Sequence, residues 1–144
     1  MGVDVYGHKR GDDESFEAFE ARGGACYRSN WWYWRPLWDW VYAHSTDILT
    51  EKEHDLGHYN CGPLLDQGKT AALAKRLREL ITNGEHLVAE ARFKAVHPET
   101  LKSVDGSMGA AAAMKVIAGW HQMSAEAAVE FCEFLEKASF VEVW

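Results

Sequence analysis

The densest group of chemically able side chains in this 144-residue chain is the run Glu53-His54-Asp55-Leu56-Gly57-His58-Tyr59-Asn60-Cys61-Gly62. His54 and His58 stand four apart, the spacing that sets two imidazoles on one face of a helix, and Cys61 follows three residues later. Two imidazoles and a thiolate would suit zinc, with a fourth ligand from His44, Asp47 or His121 if the fold brings one near. Gly57 weakens this reading, because a glycine between the histidines can end the helix that would align them. A hydrogen-bonded loop without metal is the plainer alternative. Cys61 beside His58, with Asp55 and Asn60 near, also offers the residue types of a thiol nucleophile, its base and an orienting group, but such groups normally assemble from distant segments.

A second concentration lies just upstream. Trp31, Trp32, Trp34, Trp38 and Trp40 fall within ten residues, so the segment is either the nucleus of the core or a recognition surface. Read as a surface, it would gather Trp32, Trp34, Arg35, Trp38, Tyr42, His58, Tyr59 and Asn60. No glycine-rich phosphate loop accompanies these residues, since Arg22-Gly23-Gly24-Ala25 lacks the lysine and the strand-to-helix setting.

These residues must be positioned by the elements around them. Val3-Asp4-Val5-Tyr6 alternates as a short strand closed by Gly7. Residues 8 to 30 are polar and glycine-bearing, the expected mobile region, with Phe16 and Phe19 able to pin a short helix. A helix is expected to begin at about Pro36, placing Leu37, Trp40, Val41 and His44 on one face and Trp38, Asp39 and Tyr42 across from it. Thr50-Glu51-Lys52-Glu53 has the spacing of a capping box and predicts a short helix ending at Gly57. Asn60 to Pro63 reads as a turn. Asp66 can cap a helix carrying Leu73, Leu77, Leu80 and Ile81 up to Asn83-Gly84, and Glu85 to Val96, closed by His97-Pro98, would pair with it as a helical hairpin. After a linker over 98 to 107, a small-residue helix from Ala110 would stop at Gly119. Ser124 can cap a last helix to about Lys137 with Ala128, Phe131, Cys132 and Leu135 on one face. Phe140 to Trp144 alternates again, and strands near both ends of the sequence invite pairing. The expected fold is α+β, a single domain over 1–144 with four to six helices around a small sheet that includes the N- and C-terminal strands.

Composition narrows the classes of function. With 47% hydrophobic and 26% charged residues and a net charge of -7, the chain reads as a soluble acidic globular protein, and direct nucleic-acid binding is not expected. The charge is uneven: net -6 over residues 1–66, +3 over 67–97 and -4 over 98–144. The basic middle reads as a helix face that pairs with acidic neighbours. Three widely spaced cysteines argue for reduced thiols, Asp4 interrupts any secretory apolar run, and no apolar stretch is long enough to span a bilayer. Cytoplasm is the expected compartment, without membrane association.

The opening Met-Gly-Val-Asp-Val-Tyr-Gly, the Trp-Arg-Pro-Leu-Trp core of the aromatic block, the Gly57-His58-Tyr59-Asn60 turn and the Glu130-Phe131-Cys132-Glu133-Phe134 to Trp144 ending together resemble a family of small proteins encoded by bacteria and their phages. The resemblance implies a phage or mobile-element context and carries over no catalytic residue. Some members of that family carry paired cysteines before the last helix; residues 98 to 123 here hold none. Two functions from different classes follow. The preferred one is a small acidic interaction protein that binds a protein partner through its Trp-rich surface, with no cofactor; an exposed aromatic patch could equally form a homodimer. The alternative is a metal- or small-ligand-binding protein, hydrolytic in character, with zinc on His54, His58 and Cys61.

Overall fold

Alternation and capping place the elements of the computed structural model, which describes residues 2–96, 106–118 (115–118 as backbone) and 121–144. They follow one another as β1 (Gly2–Tyr6), α1 (Phe16–Ala21), β2 (Cys26–Asn30), α2 (Trp31–Ala43), α3 (Glu51–Leu56), β3 (Gly62–Leu65), α4 (Gln67–Thr82), α5 (Glu85–Val96), α6 (Ala110–Ala118), α7 (Ala125–Lys137) and β4 (Val141–Val143). The fold is α+β, with seven helices among the described residues rather than four to six. The closing signals at His97-Pro98 and Gly119 and most of the expected linker lie outside the described residues.

The strands form one antiparallel sheet in the order β2-β1-β4-β3, so β1 and β4 are neighbours as the alternation at both ends predicts. Period-2 alternation turns Val3, Val5, Val141 and Val143 to one face, where all four are fully buried. Helices α2 and α7 cover that face. Tyr27 of β2 lies with its ring 5.3 Å from Phe131 and 6.1 Å from Trp34, joining the sheet to both helices. On α7, Ala128, Phe131, Cys132 and Leu135 are all buried, as their spacing requires, and the helix packs along α4 through Leu73, Ala74 and Leu77.

Two sequence expectations need correction. Residues 8 to 30 carry a helix and a strand, not only a polar glycine-bearing loop: Phe19 of α1 is fully buried, Arg22 reaches the Glu14 carboxylate, and the Ala25 N–H donates to His8 Nδ1 at 2.8 Å. Helix α2 begins at Trp31, not Pro36, because Asn30 Oδ1 accepts from the N–H groups of Trp32 and Tyr33 and caps the helix there. Pro36 therefore sits inside the helix, where it cannot donate to the carbonyl four residues back. That carbonyl, of Trp32, accepts instead from the Gln122 N–H at 2.7 Å, so the proline's missing bond ties the segment before α7 to α2. The buried face is Trp34, Leu37, Trp38 and Val41, because the Trp34 and Trp38 indoles turn inward to the carbonyls of Gly57 and His54, and Trp40 is left half-buried and His44 exposed.

The basic middle behaves as a paired helix face: Lys69, Arg76, Arg78 and Lys94 meet Glu53, Asp47, Glu136 and Glu90. Among the described residues no helix is long and apolar enough to cross a membrane.

Candidate metal centre

The site is built by α2 and α3, and two tryptophans hold those helices in register. Trp34 and Trp38, one turn apart on α2, stack with ring centroids 5.5 Å apart and planes inclined by 12°. Both are fully buried, and each indole N–H must find an acceptor. Trp38 Nε1 donates to the carbonyl of His54 at 2.9 Å, and Trp34 Nε1 donates to the carbonyl of Gly57 at 2.7 Å. The end of α3 leaves carbonyls without helical partners, and the indoles supply donors for two carbonyls in this turn. At the other end the capping box forms as its spacing predicts, with Thr50 and Glu53 bonding each other's backbone N–H. Lys69 of α4 reaches the same Glu53 carboxylate at 2.6 Å.

Gly57 makes this approach possible. Its backbone is ordinary right-handed helix, so no special conformation is needed; a Cβ there would fall 2.4 Å from Trp38 Cε2. The helix ends at Gly57 as expected, and the same glycine lets the indole close over the helix end.

Pinned in this way, His54 and His58 aim Nε2 at one oxygen of Asp39 on α2. The distances to Asp39 Oδ1 are 2.7 Å and 2.8 Å, and the two Nε2 atoms are 3.3 Å apart. Tyr42, one turn after Asp39, stacks on the His54 ring at 4.2 Å and 9° and limits its rotation. The histidine side chains are 22% and 20% exposed and Asp39 56%, so the cluster is shielded on the protein side and open on the other. Burial pushes the Asp39 pKa upward, but the bonds to His58 and His54 outweigh it and hold the carboxyl below its ordinary value.

These three atoms could together hold a cation. A tetrahedral ion about 2.0–2.2 Å from each ligand atom sets them about 3.3–3.6 Å apart. The two nitrogens at 3.3 Å already meet that spacing, while the 2.7 and 2.8 Å separations to Asp39 are those of hydrogen bonds and would open by about 0.5–0.9 Å around an ion. Without a cation, both nitrogens reach Asp39 as N–H donors that share one carboxylate oxygen. Two histidines and one carboxylate leave coordination positions for water or a ligand atom, the arrangement of reactive rather than structural sites.

Of the expected ligands, His54 and His58 converge and Cys61 does not. Gly62 adopts a φ of 73°, and the Cys61 thiol lies 3.6 Å from the Gly62 carbonyl, outside the triangle, whose third member is Asp39. Burial raises the Cys61 pKa, which also argues against a nucleophilic thiolate. Asp47 is taken by Arg76 through paired bonds at 2.7 and 2.8 Å, and His44 is an exposed residue against Trp40. Asp39 was placed on the helix by its spacing but not recognised as a ligand. Nothing local in the sequence links it to histidines 15 and 19 residues away.

The expected recognition surface divides. Trp34 and Trp38 are core and unavailable to a partner; Tyr42 belongs to the metal cluster; Trp32 is half-buried with its ring 4.7 Å from His121; Tyr59 and Asn60 are exposed. Arg35 turns into an open cleft of about 680 Å³, whose wall includes Asp39 and His58. Pro36 and Trp40 of α2, Ala89 and Phe93 of α5, and Met123 give that cleft a mainly apolar lining. No family model, no curated protein and no solved structure matches this chain.

Proposed function

We propose that the protein binds one divalent transition-metal ion through Asp39 Oδ1, His54 Nε2 and His58 Nε2, and presents its open coordination positions to a small ligand in the adjoining cleft. The observation that carries this reading is the convergence of three ligand atoms within 3.3 Å on helices locked together by buried indole bonds. The N₂O donor set suits Zn²⁺ and its first-row neighbours rather than Ca²⁺ or Mg²⁺, which prefer all-oxygen sites. Such an ion polarises a bound carbonyl or lowers the pKa of bound water, chemistry that serves hydrolysis.

The test is calorimetric titration of ZnCl₂ into chelator-stripped protein, with native mass spectrometry for stoichiometry. One equivalent is expected to bind to the parent and to Cys61→Ser, and affinity is expected to fall at least tenfold in His58→Ala and Asp39→Asn. Zinc binding that needs Cys61, or that survives loss of His58 unchanged, would reject this ligand set.

A further inference from the structure

Arg35 stands apart from most arginines of the chain. Arg22, Arg28, Arg76 and Arg78 each reach a carboxylate, and Arg10 bonds the Tyr6 hydroxyl and the Glu14 carbonyl. Arg35 and Arg92 pair with no carboxylate among the described residues, and both line the cleft beside Asp39 and His58. The Arg35 guanidinium lies over the Trp31 ring at 5.1 Å, while its Nε is shielded from solvent without a hydrogen-bond partner. A shielded guanidinium nitrogen left unpaired is costly, and a group of this kind calls for an acceptor. Arg35 also shares with His58 the two smaller depressions that open toward Tyr59, so the guanidinium sits where the concave surfaces around the cluster meet.

We propose that the cleft binds a small organic carboxylate with an apolar body, its carboxylate on the Arg35 guanidinium and its body against Trp40, Phe93 and Val96. The planar guanidinium matches a carboxylate through two parallel N–H donors, and Arg92 adds a second positive charge to the same lining. A monoanion fits better than a dianionic phosphate, because Asp39 contributes a negative charge to the wall. The apolar surface of Trp40, Phe93 and Val96 is of a kind that an aliphatic or aromatic body covers and inorganic phosphate leaves wet. Because the carboxylate would lie beside the proposed ion, its catalytic sense rests on the metal reading, while its recognition by Arg35 does not need the ion.

The experiment is a ligand-observed NMR titration with phenylacetate, benzyl alcohol and inorganic phosphate, on zinc-loaded and chelator-stripped protein. The expected result is saturable phenylacetate binding, at least about tenfold tighter than either control, weakened about tenfold or more in Arg35→Gln and less in Arg92→Gln. Melting curves identify any variant that has lost its fold, and Arg35→Lys, which keeps the charge without the fork, is expected to fall between parent and Arg35→Gln. Phenylacetate binding that is unchanged in Arg35→Gln overturns the assignment even if zinc binds one to one. Phosphate binding as tightly as phenylacetate also overturns it. Arg35-dependent phenylacetate binding by a protein that takes up no zinc would uphold the carboxylate site and reject the metal.

Discussion

Replacing Gly57 by alanine tests how α3 and the two histidines are held. The new methyl would lie 2.2 Å from Trp38 Nε1 and 2.9 Å from Cζ2, against an ordinary contact of about 3.5–4.0 Å, so something must move by more than about 1 Å. Trp38 cannot yield easily, since it is fully buried and stacked on Trp34. Overpacking of this kind costs about 1–3 kcal/mol, and parting the indole N–H from the His54 carbonyl strands a buried donor at about 1–3 kcal/mol more. Against this stands a gain of about 0.4–1 kcal/mol, because alanine narrows the unfolded ensemble and the Gly57 backbone already suits it. The net expectation is a loss of about 2–4 kcal/mol, or roughly 5–15 °C in melting temperature for a chain of this length. Urea unfolding followed by tryptophan fluorescence, together with calorimetric zinc affinity, reads both consequences. Gly68→Ala, on an exposed turn of α4 with its Cβ 3.6 Å from the nearest side-chain atom, is the control and is expected to raise stability slightly. A Gly57→Ala protein as stable as its parent would show that the indole contact does not constrain the helix.

Three further outcomes are expected. Thr50→Ala removes the capping hydroxyl of α3 and is expected to lower stability by about 1 kcal/mol in urea titration, with a change under about 0.3 kcal/mol counting against the cap. Asp47 and Glu14 are held down to about 2 by hydrogen bonds from Arg76 and Arg22, below the roughly 3.9–4.3 of unfolded carboxylates. Their contribution to stability is therefore complete above about pH 4 and lost as pH falls toward 2, so the melting-temperature gap between parent and Asp47→Asn should close across that window; a gap constant from pH 7 to 2 would contradict it. Phe131→Ala, which empties the junction of α7, Tyr27 and Trp34, is expected to cost about 3–5 kcal/mol, measured by the same unfolding assay.

What could be read in the sequence was what local rules determine. Thr50, Asp66 and Ser124 cap helices where their spacing says they should, and Val3, Val5, Val141 and Val143 alternate into one buried face. The strands missed were β2, where Tyr27 is the one large buried side chain, and β3, whose Gly62-Pro63 start reads as a turn. Pro36 misled because its penalty is absorbed by a bond from Gln122, a residue far along the chain. The histidine half of the cluster was legible from helical spacing. Its aspartate was not, since the meeting of Asp39 with His54 and His58 depends on how two indoles dock one helix on another.

The central place of β4 in the sheet governs when the sheet can close. Of the described elements it is synthesised last, yet it pairs with β1, the first, and supplies the strand partner of β3, which follows the histidines directly. While the chain emerges from a ribosome, β1 and β2 can form a hairpin, but β3 has no partner strand until β4 arrives. The contacts that close the sheet are thus among the most distant in sequence, the kind that slow folding. The β3–β4 pairing is therefore the last joint of the sheet to close, and until it does β3 stays an unpaired edge.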